Sequence, residues 1–571
     1  MSSRMKIYCK NIHEYIDIEG GETLQEIATT LAPRLVGLEP ICAAVNNKTE
    51  PLQYQLFGPK QVEFLPRESA SGTRVYVRSL SMMLYCAVRQ EMPSTRLRIE
   101  HSIAGGYYCL LFDEQKLADG TTALLPVSSA RIPAIVERLR IRMRELCQRD
   151  IPFERKERLT ADIIEKFREA RLTDKVTLLQ TIRELYTTYY RLDGVVDSYY
   201  GALAPSTGCL SVFDLIPYKE GFLLMAFDRN HPDCPAPEVD QEKMYRAFVE
   251  YSHFNEVIGV ANVGQLNRVV EEGKAADLIN VAEAMHDKKI SSIADEITRR
   301  YRLGGARIVL IAGPSSSGKT TTTKRLGIYL TTNLLKPKMI SLDNYFVDRD
   351  KTPRDATGDY DFESLYALDL KAFNADLNAL LRGEEVSLPT YSFEQGKRIY
   401  KGNKLRLEPN SILLIEGIHG LNPALTSEIP EEMKYRVYVS ALTTLSIDDH
   451  NWIPTTDNRL LRRIIRDYKY RGSSAEETIR RWPSVRRGEE KWIFPFQENA
   501  DSTFNSSLLF ELGVIKDYAE AVLREVPNDV PEYAEAYRLR RFLGYFKQIP
   551  ERGVPSTSLL REFLGGSSFH Y

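Results

Sequence analysis

The stretch Gly313-Pro-Ser-Ser-Ser-Gly318-Lys319-Thr320 constrains the fold of this chain more than any other. It follows the apolar run RIVLIA (307–312) and opens a helix pattern, TTTKRLGIYL. Glycines at both ends let backbone N–H groups turn inward as an anion nest, and the helix N-terminus adds its positive dipole end. Between a strand and a helix, this spacing is a phosphate loop. It assigns Gly313, Ser315, Ser316, Ser317, Gly318, Lys319, Thr320 and Thr321 to triphosphate binding, with Lys319 on the outer phosphates and the Thr320 hydroxyl on Mg2+. The plain alternative is a glycine-rich turn that only caps a helix.

A loop of this kind needs a sheet to carry it. Five short apolar runs, at 307–312, 338–342, 411–415, 435–439 and 507–511, alternate with helix-compatible segments. That is the grammar of a mostly parallel sheet wound by crossovers. Asp343 follows the second run and Glu416 the third. Ligands gather at the carboxyl ends of strands in open α/β sheets, so both carboxylates should face the loop. One can hold Mg2+ while the other accepts a proton from an attacking hydroxyl. The alternatives are a helix N-cap for Asp343 and a capping carboxylate for Glu416. Further on, Arg459, Arg462, Arg463, Arg466, Lys469 and Arg471 crowd one helical stretch. They read as a lid that neutralises the triphosphate, against a solvated basic face or an RNA-contacting arm with Trp482 and Trp492.

The rest of the chain is differently built. With 571 residues the length prior is about three to four domains. The first 66 or so residues give an alternating stretch, a helix with Leu24, Ile27 and Leu31 on one face, and short strands near ICAAVN and QVEFL. That order suits a β-grasp arrangement. From 69 to 290 strands alternate with amphipathic helices, at 133–149 and 157–171, and end in a charged helical connector from 273 to 300. Lys plus Arg number 76 and Asp plus Glu 78, a net charge of −2 that argues against non-specific coating of nucleic acid or anionic membrane. No apolar run approaches the roughly 20 residues that span a bilayer. The seven cysteines all precede residue 235 and include no CxxC, so neither a disulfide framework nor a zinc ribbon is expected. A soluble cytoplasmic protein is the expectation.

The motifs AGPSSSGKTT, SLDNYF, TGDYDFESLYALD, PTYSFEQGKR, LLIEGIHG and RLLRRIIRDYKYRG, in this order, resemble the uridine kinase and phosphoribulokinase family over roughly residues 300–515. The resemblance implies an ATP- and Mg2+-dependent nucleoside kinase acting on a ribose 5′-hydroxyl. Asp343 falls on the family's catalytic aspartate, which can also touch the metal, and Glu416 on its metal-holding carboxylate. Asp361 matches the ribose-binding aspartate, Tyr391 the aromatic residue beside the base, and Arg398 the basic residue ending that motif. Arg463, Arg466 and Arg471 fall on lid arginines. Two positions depart from the pattern: a histidine that helps read the pyrimidine is Gly396 here, and an arginine is Ser473. They leave the identity of the base open, and with it the choice between a nucleoside and another small hydroxyl substrate.

Residues 1–68 resemble a TGS domain. Residues 69–290 resemble the second domain of threonyl-tRNA synthetases, through RSLSMMLYCAV, IEHSIAGGYYCLL and APSTGCLSVFDL. The paired histidines of that family's editing site are Arg78 and Met82 here, so the resemblance implies no intact editing centre. His101 and Cys209 then read as structural. The expected protein is multidomain α/β and α+β: a β-grasp domain, an α+β module with its helical connector, and a phosphate-loop kinase domain over 291–571 with a doubly wound parallel sheet. The N-terminal modules are expected to bind or regulate, with RNA or a nucleotide as the ligand class, and an ATP-binding RNA-linked regulator is the rival reading of the whole.

Overall fold

The computed structural model describes residues 4–117, 122–355, 358, 360–392 and 394–570. At the N-terminus five strands form one mixed sheet, in the order Glu14–Glu19, Arg4–Cys9, Gln61–Pro66, Pro40–Val45, Lys48–Pro51. Only Arg4–Cys9 and Gln61–Pro66 run parallel. Helix Leu24–Leu31 starts at a capping box, in which Thr23 and Glu26 satisfy each other's backbone N–H groups. Its buried residues Leu24, Ile27 and Leu31 close over Ile7, Val62 and Phe64.

The middle of the chain wraps around helix Ala70–Glu91, whose residues from Val75 to Val88 are all buried. An antiparallel sheet containing Thr95–Ile103, Gly106–Lys116 and Gly221–Met225 packs on it, and a second sheet of three strands lies nearby. The helix expected over 157–171 is shorter: Glu154–Leu159 is a strand, and the helix is Thr160–Glu169. Six register pairs with Tyr186–Leu192 supply the strand's backbone partners, which outweighs the helix propensity of a charged run.

The C-terminal sheet has five parallel strands in the order Lys336–Ser341, Ser411–Glu416, Ile308–Ala312, Lys434–Ser440, Ser502–Asn505. Ile308 and Leu310 face a core with Phe373 and Leu377, while Val309 and Ile311 face one with Leu326 and Leu461. Helices therefore cover both faces, as a buried parallel sheet requires. The fifth strand is not the expected run 507–511. It is the polar STFN just before it, paired on one side only, and the apolar residues 508–510 lead into helix Glu511–Arg524. Helix Ala275–Arg302 runs unbroken across residue 290 and shares its core with this sheet.

Candidate phosphoryl-transfer site

The phosphate loop leaves the central strand Ile308–Ala312 and enters helix Lys319–Thr332. Packing dictates Gly313, since a Cβ there would lie 2.0 Å from the Val439 carbonyl oxygen. Ser316 and Gly318 adopt φ of 58° and 83°, the turn that gathers backbone amides on one side. The hydroxyls of Ser316 and Ser317 are buried with no partner among the described residues. A cradle of amides with orphaned hydroxyls fits a phosphate chain such as that of ATP.

Lys319 folds back on the loop, donating to the Pro314 carbonyl at 3.1 Å. Burial pulls its pKa down, and the carboxylates of Glu416, Asp343, Glu562 and Glu363 resist that pull. The Thr320 hydroxyl lies 3.3 and 3.2 Å from the two Glu416 oxygens. Glu416 ends a strand that pairs with the phosphate-loop strand on one side and with the strand leading to Asp343 on the other. Burial pushes the Glu416 carboxyl up to about 7, with Asp343 and Glu562 adding to the effect against Lys319. Asp343 sits in the turn Leu342–Tyr345, open to the cleft. Desolvation by the cleft walls raises its pKa, while Lys319, Arg471 and Arg466 oppose the rise.

Among the described residues no group of three His, Cys, Asp or Glu is placed to hold a metal unaided. Mg2+ seldom needs one, because substrate phosphates and water complete its octahedron. Glu416, a carboxylate short of positive charge, and the Thr320 hydroxyl beside it form an oxygen donor set that fits this ion.

The arginine-rich helix Thr455–Arg471 divides its labour. Arg459 and Arg462 are at most 1% exposed and pair with the buried Glu489 and Glu511. They donate to the carbonyls of Ser315 and Ser316, at 3.0 and 3.4 Å, and so brace the loop from behind. Arg463 reaches the Ser315 hydroxyl at 2.8 Å. Arg466 and Arg471 share Asp467, at 3.0 and 3.5 Å, and their charges are felt at Asp343. Trp482 packs over Arg459, and Trp492 lies edge-on to Tyr366 and His419, so the domain itself engages both tryptophans.

Of the three expected acceptor residues, the structure treats each differently. Tyr391 is buried, edge-on to Phe346 with ring centroids 5.5 Å apart, and its amide donates to Asn344 at 3.3 Å. Arg398 is engaged by Asp369 at 2.8 Å, the residue that caps helix Leu370–Leu381. The Asp361 side chain makes no hydrogen bond or ion pair among the described residues; only its backbone does. The carboxylate that enters the site is Glu363, two residues on. Burial pushes it up to about 7, the nearby Glu489 adds to this, and Arg463 and Lys319 oppose it. Glu363 lies in the turn that follows Asp361, where the Ser364 amide donates to the Asp361 carbonyl at 3.2 Å, so the segment YDFE offered both acids and the motif drew attention to the first.

Three further participants carried no local signal. Glu489 accepts the Ser315 amide at 3.0 Å. Glu562 accepts the Thr321 hydroxyl at 2.6 Å and its amide at 3.3 Å. Arg349 fills the space beside Gly396, where a Cβ would meet its Nε at 2.9 Å.

A parallel α/β domain with a phosphate loop at the end of its central strand defines a class of nucleotide-binding proteins. Residues 308–508 match the family described as Phosphoribulokinase / Uridine kinase. A uridine kinase of Halobacterium salinarum is 29% identical over 194 residues, 34% of this chain and 76% of that protein. One of Lactobacillus helveticus is 30% identical over 195 residues, covering 34% of this chain and 83% of that protein. A threonine–tRNA ligase of Carboxydothermus hydrogenoformans is 28% identical over 195 residues, 34% of this chain and 28% of that protein. Through its C-terminal domain the chain belongs to the phosphoribulokinase and uridine kinase family. Among the described residues no helix is long and apolar enough to cross a membrane.

Proposed function

We propose that the C-terminal domain is an ATP- and Mg2+-dependent kinase that phosphorylates a primary hydroxyl, the ribose 5′-hydroxyl of a nucleoside. The observation that carries this reading is the convergence at one cleft of Lys319, the Thr320–Glu416 pair and Asp343. Bound Mg-ATP supplies the phosphoryl group and the cation that its oxygens require. Asp343 takes the proton from the acceptor hydroxyl as the oxygen–phosphorus bond forms and the bond to the ADP oxygen breaks. Lys319 and the loop amides hold the phosphate oxygens in place. Arg463, Arg466 and Arg471 neutralise charge as it spreads. Thr320 and Glu416 would hold the metal, with Asp343 as a further oxygen donor. Glu363, Tyr391 and the neighbouring turn form the acceptor wall, with Asp361 and Arg398 behind it.

A specific observation favours a second acceptor class. The Arg349 side chain stands against Gly396 and brings a positive charge to bear on Tyr391, which Asp348 opposes. A sugar phosphate would use that charge, and a neutral nucleoside would not. In the rest of the proposal, residues 1–68 are a TGS-like β-grasp domain. Residues 69–290 are a synthetase-like module without catalysis of its own, and the kinase domain spans 291–571. A cytoplasmic location is supported by seven free cysteines.

The test is ADP release by the full chain with Mg-ATP against ribonucleosides, deoxyribonucleosides and sugar phosphates, with Asp343→Asn as control. Stimulation by a nucleoside that the substitution abolishes is the expected result. Stimulation by sugar phosphates alone selects the second class, and no stimulation by either removes the kinase reading.

A further inference from the structure

Away from the phosphate loop, a cavity of about 460 Å³ opens where helix Ala70–Glu91 meets the N-terminus of the arginine-rich helix. On its wall is Arg78, only 8% exposed. Its guanidinium makes no hydrogen bond or ion pair among the described residues, and its Nε is buried without a partner. Among the described residues its neighbours of complementary character are Tyr200, whose ring lies 5.7 Å from the guanidinium carbon, and Tyr190. The chain leaves deliberate room for this group: a Cβ on Gly201 would lie 2.1 Å from an Arg78 terminal nitrogen. A buried cation without a counter-charge is costly, so a chain that builds a slot for one is holding it for an anion.

The surroundings agree. Arg74 and Arg538 line the same cavity, and both pair with Glu535, at 3.2 and 2.5 Å. Arg538 also grips Asp457 at 2.6 Å. Three guanidinium groups thus face two carboxylates, which leaves one positive charge in surplus. Arg229 adds another at the exposed rim, where Glu68 is already paired with Arg67. Burial, together with Arg74 and Arg538, brings the Arg78 pKa down to about 10, still a cation at neutral pH. His101 contributes no charge: burial lowers its pKa, and its ring nitrogens are engaged by the Ser102 carbonyl and the Thr455 hydroxyl. Thr455 and Thr456 begin a helix whose N-cap, Pro454, supplies no side-chain cap, so the positive end of that helix opens on the cavity. Opposite lie the rings of Tyr107 and Trp452, centroids 4.6 Å apart.

We infer that this cavity is a second ligand site, built for a phosphorylated small molecule of mononucleotide size, with its phosphate on Arg78 and its ring against Trp452 and Tyr107. The volume is that of a small-ligand pocket. Arginine is the side chain suited to hold a phosphate by paired hydrogen bonds. The site does not depend on the proposed kinase activity. Its far wall is the first turn of the helix whose Arg459, Arg462 and Arg463 brace the phosphate loop, so occupancy bears on the loop through that helix.

The test uses the full chain carrying Lys319→Ala, which weakens the phosphate loop's hold on anions, without Mg2+. Nucleoside monophosphates, ribose 5-phosphate and inorganic phosphate are titrated by calorimetry and by thermal unfolding, with the parent nucleosides as neutral controls. The expected result is binding of at least one phosphorylated probe, a raised unfolding midpoint, and no response to its neutral counterpart. Adding Arg78→Met should abolish that response while leaving the ligand-free midpoint unchanged or higher, because an unpaired buried charge has been removed. Trp452→Phe should remove ligand-induced quenching of tryptophan fluorescence while calorimetric binding persists. Absence of binding by every phosphorylated probe would overturn the inference. So would binding that survives Arg78→Met, a lower ligand-free midpoint in that variant, or quenching that survives Trp452→Phe.

Discussion

Arg459 and Ser315, 144 residues apart in the chain, meet where Nη1 of the arginine donates to the serine carbonyl at 3.0 Å. The same guanidinium is held by Glu489 through a second bond of 2.7 Å. One buried ion pair therefore supports the loop's backbone from the side away from the cleft. Replacing Arg459 with Met leaves the buried Glu489 with Arg486, at 3.0 Å, as its remaining counter-charge, and removing one partner of such a pair costs up to about 3–5 kcal/mol. Chemical denaturation should show a loss of that size, accompanied by weaker nucleotide binding. Arg471, which is exposed, should change stability by less than about 1 kcal/mol when replaced by Met, with its loss appearing in turnover. Equal stability costs at the two positions would contradict this division of labour.

Lys319→Ala should abolish phosphoryl transfer and leave the chain folded. Burial already disfavours the charged amine in the ligand-free protein, so removing it relieves a desolvation cost. Circular dichroism and the unfolding midpoint should match the parent while ADP formation falls to background. Transfer at the parental rate would refute the assignment of Lys319.

Glu416 and Glu363 make the ligand-free site sensitive to pH. Both carboxyls are pushed up from 4.5 to about 7 in the folded state. A raised carboxyl pKa favours folding at low pH, and that contribution is lost as pH rises through the folded value. The ligand-free protein should therefore lose stability between about pH 4.5 and about pH 7 from these two groups. A bound cation reverses the logic, because it selects the ionised carboxylate. The rise in unfolding midpoint caused by Mg-ADP should be larger at about pH 8 than at about pH 6, and Glu416→Gln should flatten that difference. An equal rise at both pH values in the parent protein would contradict the shift at Glu416.

Glu562 takes the Thr321 amide at the start of the phosphate-loop helix, the kind of donor an anion seeks. Its carboxylate also adds negative charge beside Lys319. Glu562→Gln should weaken the ligand-free fold by about 1 kcal/mol, the usual worth of a helix cap. The same change should tighten binding of ADP, since a repelling charge is gone. Looser ADP binding in the variant would show that Glu562 assists the nucleotide.

The sequence made the centre of this site legible because the phosphate loop is local: eight consecutive residues fix backbone, charge and hydroxyl together. Asp343 and Glu416 were readable as well, since each ends an apolar run and register alone brings it to the loop. Glu363 was masked by Asp361, two residues earlier in the same turn-forming segment. Arg459 and Arg462 shared the lid pattern with Arg463 and Arg466, and their spacing alone does not tell an arginine bracing the loop from one facing the cleft. The partners that decide it, Glu489 and Glu511, are 30 and 49 residues further on. The strand Ser502–Asn505 was missed because an edge strand paired on one side can be polar, while the apolar residues after it belong to a helix start. The strand Glu154–Leu159 was hidden by its charges, and only its partner Tyr186–Leu192 makes it a strand.

The bond between Thr321 and Glu562 spans 241 residues of chain. The phosphate loop thus leaves the ribosome long before the carboxylate that caps its helix has been made. A nascent chain stopped before residue 559 carries an uncapped loop and also lacks Leu559, which packs against Gly318. Domains generally fold as units as synthesis proceeds, but this nucleotide site is finished only by its most distant segment. Acquisition of the capped site consequently waits on translation past Glu562, and fragments stopped short of that residue are distinguishable from longer chains by how they hold nucleotide.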